Sequence, residues 1–277
     1  MQSFIRITLF LAFFLSFFKN QAQNPTDWLF WQFSNMVKYQ QPSSGESSQR
    51  NYRDYGFQIV MTKDSSKRSD VLTYRALGEL KYGNYDRAFA DYEAAVKLNP
   101  KLAGEVGWRY LFLLRDYARA LTYLQAFDEL TPNFDDPIDD YSVNYLKGRA
   151  YAGLGDHENA LKAYSLTISQ RAARLGIEWV DYRYLVARGV SYLVQKQAVE
   201  GLADFDMALK NYPKSSTAYH HRGRALEQLG RFEEAKTAYR DARFFLLTTN
   251  AFERDYYYEQ PDAAYDEDID EAIQRLR

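Results

Sequence analysis

Gly83-Asn84-Tyr85-Asp86-Arg87-Ala88-Phe89-Ala90-Asp91-Tyr92-Glu93-Ala94-Ala95 reads as a turn followed by a helix, and the helix is closed by Asn99-Pro100. Its skeleton returns at Gly155-Asp156-His157-Glu158-Asn159-Ala160 with Tyr164, and again at Gly230-Arg231-Phe232-Glu233-Glu234-Ala235 with Tyr239. In all three, alanine stands five residues after the turn glycine and an aromatic four residues later. Two degenerate copies keep the register: Arg115-Asp116-Tyr117-Ala118-Arg119-Ala120 with Leu124, and Lys196-Gln197-Ala198-Val199-Glu200-Gly201 with Phe205.

Working upstream from each turn, a small residue recurs where two helices must approach: Ala76, Gly148, Gly189 and Gly223, with Trp108 in that place in the second copy. Small residues let helix axes come close, and the aromatics then fill the space between layers. The turn glycines end the first helices, and Pro100, Pro132 and Pro213 stop the second ones. A helix pair cannot bury its apolar stripe alone, so neighbouring pairs must stack.

This pattern resembles the tetratricopeptide repeat, a helix hairpin of about 34 residues. The resemblance implies an all-α protein: a right-handed α-solenoid of about five helix pairs, at 71–100, 101–134, 141–174, 182–215 and 216–249. Two spacings are longer than the repeat requires. Asn133 to Asp140 reads as a solvated loop with Asp140 as helix N-cap, and Arg171 to Ile177 reads as either a prolonged helix or a loop.

The ends read differently. Arg6 followed by the apolar run Ile7 to Phe18 and then by Lys19-Asn20-Gln21-Ala22 has the form of a secretory signal spanning 1–22, cleaved near Ala22. The run is too short for an ordinary membrane span of about 20 residues, although an uncleaved anchor is the alternative. Cleavage there removes two cations, Arg6 and Lys19, and moves the formal charge from -2 to -4. The chain is therefore expected to be exported, periplasmic or secreted, with no stable membrane span after cleavage. Residues 23–70 read as an N-terminal cap segment with polar linkers, where Trp28 and Trp31 pack on the first pair or meet a partner. The acidic, aromatic tail at 250–277 is expected to be helical from Asp262 to Leu276 and to cap the last pair.

Composition narrows the chemistry. The chain of 277 residues has no cysteine, which excludes disulfides, thiolate metal sites and catalytic thiols. A net charge of -2 without clustered cations argues against nucleic acid as a partner. No nucleophile elbow, phosphate loop or dinucleotide fingerprint is present, so neither a catalytic residue nor a cofactor is expected. His157 stands in a turn, and the adjacent His220 and His221 point in different directions along a helix, which argues against a shared metal. The aspartates from Asp135 to Asp140 suit calcium in kind, but the solvated loop is the simpler reading.

By the same resemblance, the first helices present a binding groove at Arg109, Phe112, Tyr145, Arg149, Arg183, Val190, His220 and Arg224. Guanidinium groups interleaved with aromatics suit an acidic or aromatic peptide. Alternatively, these arginines lie on ordinary solvated faces, paired with Glu105 or Glu227. The asparagine pair of the family's chaperone-tail clamp is missing from the matching places. The resemblance thus implies a non-catalytic interaction module or scaffold that holds a peptide or partner subunit, and the acidic tail around Asp266 to Glu271 is expected to fold back into its groove. The competing reading is an envelope enzyme, or an enzyme accessory, acting on cell-wall polymers through acidic residues.

Overall fold

The computed structural model describes residues 68–132, 134–249 and 262–276; the signal reading at 1–22 and nearly all of the cap segment lie outside them. Helices account for almost all of this structure, and they divide between two compact bodies, one ending at Pro100 and one starting at Lys101. No helix among the described residues is long and apolar enough to cross a membrane.

The first body contains α1 (Arg68–Lys81) and α2 (Tyr85–Leu98), antiparallel across the Gly83 turn. Ala76 and Ala88 are fully buried where the two axes meet, with the Tyr92 ring packed into the same interior. Arg75 on α1 forms a two-pronged ion pair with Asp91 on α2.

The second body stacks four such pairs: α3 (Ala103–Phe112) with α4 (Tyr117–Asp128), α5 (Val143–Gly153) with α6 (His157–Leu175), α7 (Tyr182–Val194) with α8 (Ala198–Asn211), and α9 (Ser216–Gln228) with α10 (Phe232–Thr249). Their core is the pairing read from sequence. A Cβ built on Gly148 would stand 2.4 Å from Tyr164, one on Gly189 2.5 Å from Phe205, and one on Gly223 2.6 Å from Tyr239, so each aromatic ring lies flat on a bare stretch of first helix. The second copy departs from this. Gly107, and not its neighbour Trp108, makes the close approach, with a built Cβ 2.8 Å from Leu124. Leucine replaces the aromatic there, and Trp108 turns instead toward Phe112, ring centres 5.3 Å apart.

Between pairs, Lys147 bonds Asp128 and Arg222 bonds Asp206, each at 2.7 Å, so each ion pair stitches one repeat to the preceding one. Within the α7–α8 pair Arg188 grips Asp204 with two nitrogens, at 2.8 and 2.7 Å, repeating the Arg75–Asp91 arrangement of α1 and α2.

The two long spacings resolve differently. The aspartate-rich segment is not a plain solvated loop: Pro137–Ile138 (β1) pairs antiparallel with Tyr141–Ser142 (β2), and Asp139 takes a left-handed φ of 55° at the turn. Ser142, not Asp140, caps α5, its Oγ accepting from the Tyr145 amide at 3.1 Å. Asp135 is consumed in the same corner, accepting from Ser142 Oγ at 2.7 Å and from the Asn144 amide and Nδ2 at 3.1 Å each. Downstream, α6 runs on to Leu175 and stops at Gly176, whose φ of 99° only glycine adopts readily, before a short 3₁₀ turn at Ile177–Trp179.

The tail forms α11 (Asp266–Arg275), which lies on the last pair. Ile269 and Ala272 are buried in it, Ile269 with Ala242 and Leu246 of α10, Ala272 with Ala235, Tyr239 and Leu226. Arg275 closes the far end on Glu227 of α9 at 2.9 and 3.0 Å. The apolar stripe that α10 would otherwise show to water is thereby covered.

Candidate functional site

Helices α3, α5, α7 and α9 are the first members of their pairs, and each packs on the next of the series. The residues named from the family pattern lie on them, but they divide into separate environments. Arg109 bonds Glu105 one turn earlier on α3, as on an ordinary helix face. Together with Lys101, Trp108, Phe127 and Ile138 it lines a cleft of about 440 Å³ against the β1–β2 hairpin. Phe112, Tyr145 and His220 are buried, and Val190 is only half-buried.

Tyr145 is the hub of an aromatic cluster. Its ring lies 4.3 Å from Tyr184, 5.6 Å from Tyr141 and 5.8 Å from Tyr164, and Tyr141 continues to Phe112 at 5.9 Å. Cations sit over this cluster. Arg183 stands 4.9 Å from the Tyr141 ring centre and donates to its hydroxyl at 3.0 Å, while its other nitrogens hold Asp181. Arg149 stands 5.9 Å from the Tyr145 ring centre and Arg171 5.3 Å from that of Tyr184. Rings present their negative faces to such cations. Burial pushes the Tyr145 hydroxyl far above the ordinary tyrosine range, so it stays neutral, with Arg149 opposing the shift.

Arg149 is the exceptional cation of the set. Its side chain is 4% exposed, and its nearest acid is neither on α5 nor in the adjoining pairs. The partner is Asp262, just ahead of α11, whose carboxylate meets one guanidinium nitrogen, Nη1. The other terminal nitrogen, Nη2, is buried and has no hydrogen-bond partner among the described residues. Burial works against the charge, but the Asp262 carboxylate holds Arg149 cationic.

The same residue reaches α9. His221 Nε2 donates to the main-chain carbonyl of Asp262 at 2.8 Å, and Nδ1 accepts from Arg224 at 3.2 Å. Those two bonds require the neutral Nε2–H tautomer. Burial first and Arg224 second push His221 down to about 4, with the Asp262 carbonyl opposing. Beside it, His220 is pushed to about 3 by burial, then by His221 and Arg224.

Arg149 and Arg224 thus come to one locality, bridged by Asp262 and His221, while Arg109 belongs elsewhere. Glu227, an expected partner for the groove arginines, is held instead by Arg275. Asp262 and His221 had no mark in the sequence as members of this site. The acidic run Asp266 to Glu271 had the better claim to a groove, yet its Asp270 pairs with Arg243 of α10. The signal that did exist was the tail's charge, and it located the region without the residue.

Comparison with known proteins agrees with this architecture. The family model described as tetratricopeptide repeat matches residues 73–102, 141–170 and 216–242. Among solved structures, that of MamA protein aligns with a TM-score of 0.52 at 18% identity, covering 68% of this chain and 97% of the other. A MamA RS-1 double mutant aligns at 0.54 and 16% identity, covering 66% and 97%. A tetratricopeptide repeat protein from Parabacteroides merdae ATCC 43184 aligns at 0.52 and 14% identity, covering 94% and 88%. At these identities the likeness is one of fold. No curated protein sequence matches the chain.

Proposed function

The chain is a tetratricopeptide-repeat protein, and from that premise we propose that it is an exported, non-catalytic scaffold holding an acidic segment of a partner protein against the first-helix face centred on Arg149. The fold itself supports the coarser part, since stacked helix hairpins offer an extended surface to other proteins.

One observation carries the finer part: Arg149 is a buried cation whose acid comes from outside its own repeat and its neighbours. Withdrawing a guanidinium from water costs several kcal/mol unless a carboxylate meets it. Arginine at such a place suits recognition of a carboxylate delivered from elsewhere, and the buried tyrosines around it fix where the guanidinium stands. Compartment follows from the basic-then-apolar start of the chain.

The test is capture from an envelope extract on the immobilised chain starting at Gln23. Wild-type protein should retain a discrete partner set that Arg149→Glu with Arg224→Glu loses while keeping its helical circular dichroism. An identical set on both would remove the Arg149 face from the proposal. Export predicts that the protein recovered from its own cells begins at Gln23 on N-terminal sequencing; a cytoplasmic chain beginning at Met1 would reject it.

A further inference from the structure

We infer that Asp262 is an internal occupant of a carboxylate site, formed by Arg149 of α5 with His221 and Arg224 of α9, and that an acidic peptide takes this site by displacing it. The inference rests on the reading of the Arg149 face given above and names how access to that face is controlled.

Three features make the occupant exchangeable. Its grip is incomplete: one guanidinium nitrogen of Arg149 meets the Asp262 carboxylate, and the second stays buried without a partner among the described residues. A carboxylate able to approach squarely gains both bonds, the geometry that arginine is built to give. Next, the carboxylate is accessible, since the Asp262 side chain is 20% exposed while that of Arg149 is 4% exposed. The resident carboxylate can therefore swing out to water, and an incoming acid reaches the buried guanidinium once it has left.

Third, release does not require the tail to unfold. The helix α11 begins four residues later and has its own anchors in Ile269, Ala272 and the Arg275–Glu227 pair. Ala264 is buried in the same cluster as Leu246, so on the α11 side the motion need not extend beyond Ala263. The main-chain bond from His221 adds direction. A peptide that replaces Asp262 must bring a carbonyl oxygen beside its carboxylate, which any acidic residue within a chain does. The recognised chemistry is therefore an internal acidic residue of an extended peptide.

Occupancy in cis lowers apparent affinity by the fraction of molecules left open, so a site about 90% self-occupied binds about tenfold more weakly than a free one. The probe is a fluorescein-labelled peptide copying residues 256–268 of this chain, titrated by fluorescence anisotropy against the full-length protein. Asp262→Asn should bind it about tenfold more tightly than wild type, and adding Arg149→Gln should abolish the gain. Equal, Arg149-dependent affinities for wild type and Asp262→Asn would overturn the self-occupancy and leave the Arg149 face standing. Binding to Asp262→Asn that ignores Arg149→Gln, or no binding to any variant, would overturn the face itself.

Because Asp262→Asn leaves Arg149 with a weaker partner and could loosen the fold, a second measurement keeps the native residue. The chain has no cysteine, so Ala263→Cys accepts a single environment-sensitive dye. Saturating peptide should move the dye into water while α11 amides remain protected from hydrogen exchange. A dye that does not respond at saturation, or loss of α11 protection in step with the dye, would refute local displacement.

Discussion

At Arg115 and Lys196 a long cationic side chain stands in the left-handed backbone region, at φ 52° and 63°, where the other pairs place Gly83, Gly155 and Gly230 at 74° to 78°. A Cβ in that region meets its own carbonyl neighbours at a cost of about 1–2 kcal/mol, which glycine escapes. Arg115→Gly and Lys196→Gly are each expected to stabilise the protein by about 0.5–1 kcal/mol after glycine's greater unfolded-state freedom is discounted. Urea titration of the two variants checks this, and a lower midpoint in both would show that the side chains do more than endure the turn. The same two positions explain what could be read at this scale. Register survived the missing glycines because Ala120, Leu124 and Phe205 held their spacing, whereas the shift of close approach from Trp108 to Gly107 was invisible, since it depends on how Leu124 fills less space than a ring.

Among the elements, α9 carries the most consequential pair of side chains. His220 and His221 are both buried, with rings 5.1 Å apart, and folding holds them down to about 3 and about 4 against an ordinary value near 6.5. Because both folded values are depressed, the unfolded chain takes up protons first as acid is added. Their contribution is complete above about pH 6.5 and is lost as pH falls toward 4. The loss should be about 2 kcal/mol per histidine between pH 7 and pH 5. Thermal melts at pH 7, 6 and 5 should fall steeply for wild type and less steeply for His220→Phe, which fills the space beside Tyr239 without a titrating group; parallel slopes would refute the assignment. Helix periodicity located α9 well, but the i, i+1 placement of the histidines, read as pointing them in different directions, did not reveal that their rings meet edge to face. Their burial was not fully legible, because beside Phe205 and Tyr239 of the repeats it involves the Asp262 segment, a contact that no local pattern records. The β1–β2 hairpin escaped for a related reason: two-residue strands carry no alternation to detect, and the aspartates around them read as solvent-loving.

On the scale of the whole molecule, the last pair depends on what lies over it. Ile269 is fully buried between α11 and α10, so Ile269→Ala should cost about 2–4 kcal/mol. In a stack where each pair contacts only its neighbours, that loss should fall first on α9 and α10. Hydrogen exchange would show faster opening there with α3 and α4 little changed, and uniform acceleration throughout would contradict nearest-neighbour coupling. A terminal covering helix could be foreseen from the tail's early acids and late arginines. Its long-range reach could not, because Asp262 and Arg149 are separated by 113 positions in the chain. That reach has a mechanical side. Asp262 is tied to α5 through its carboxylate and to α9 through its carbonyl, with α7 standing between them. It is a brace across three successive layers, and the spacing from α5 to α9 cannot lengthen while both ties hold. Whatever loosens Asp262 therefore also frees three layers to spread, making the stack most compliant at the moment its cationic face is laid bare.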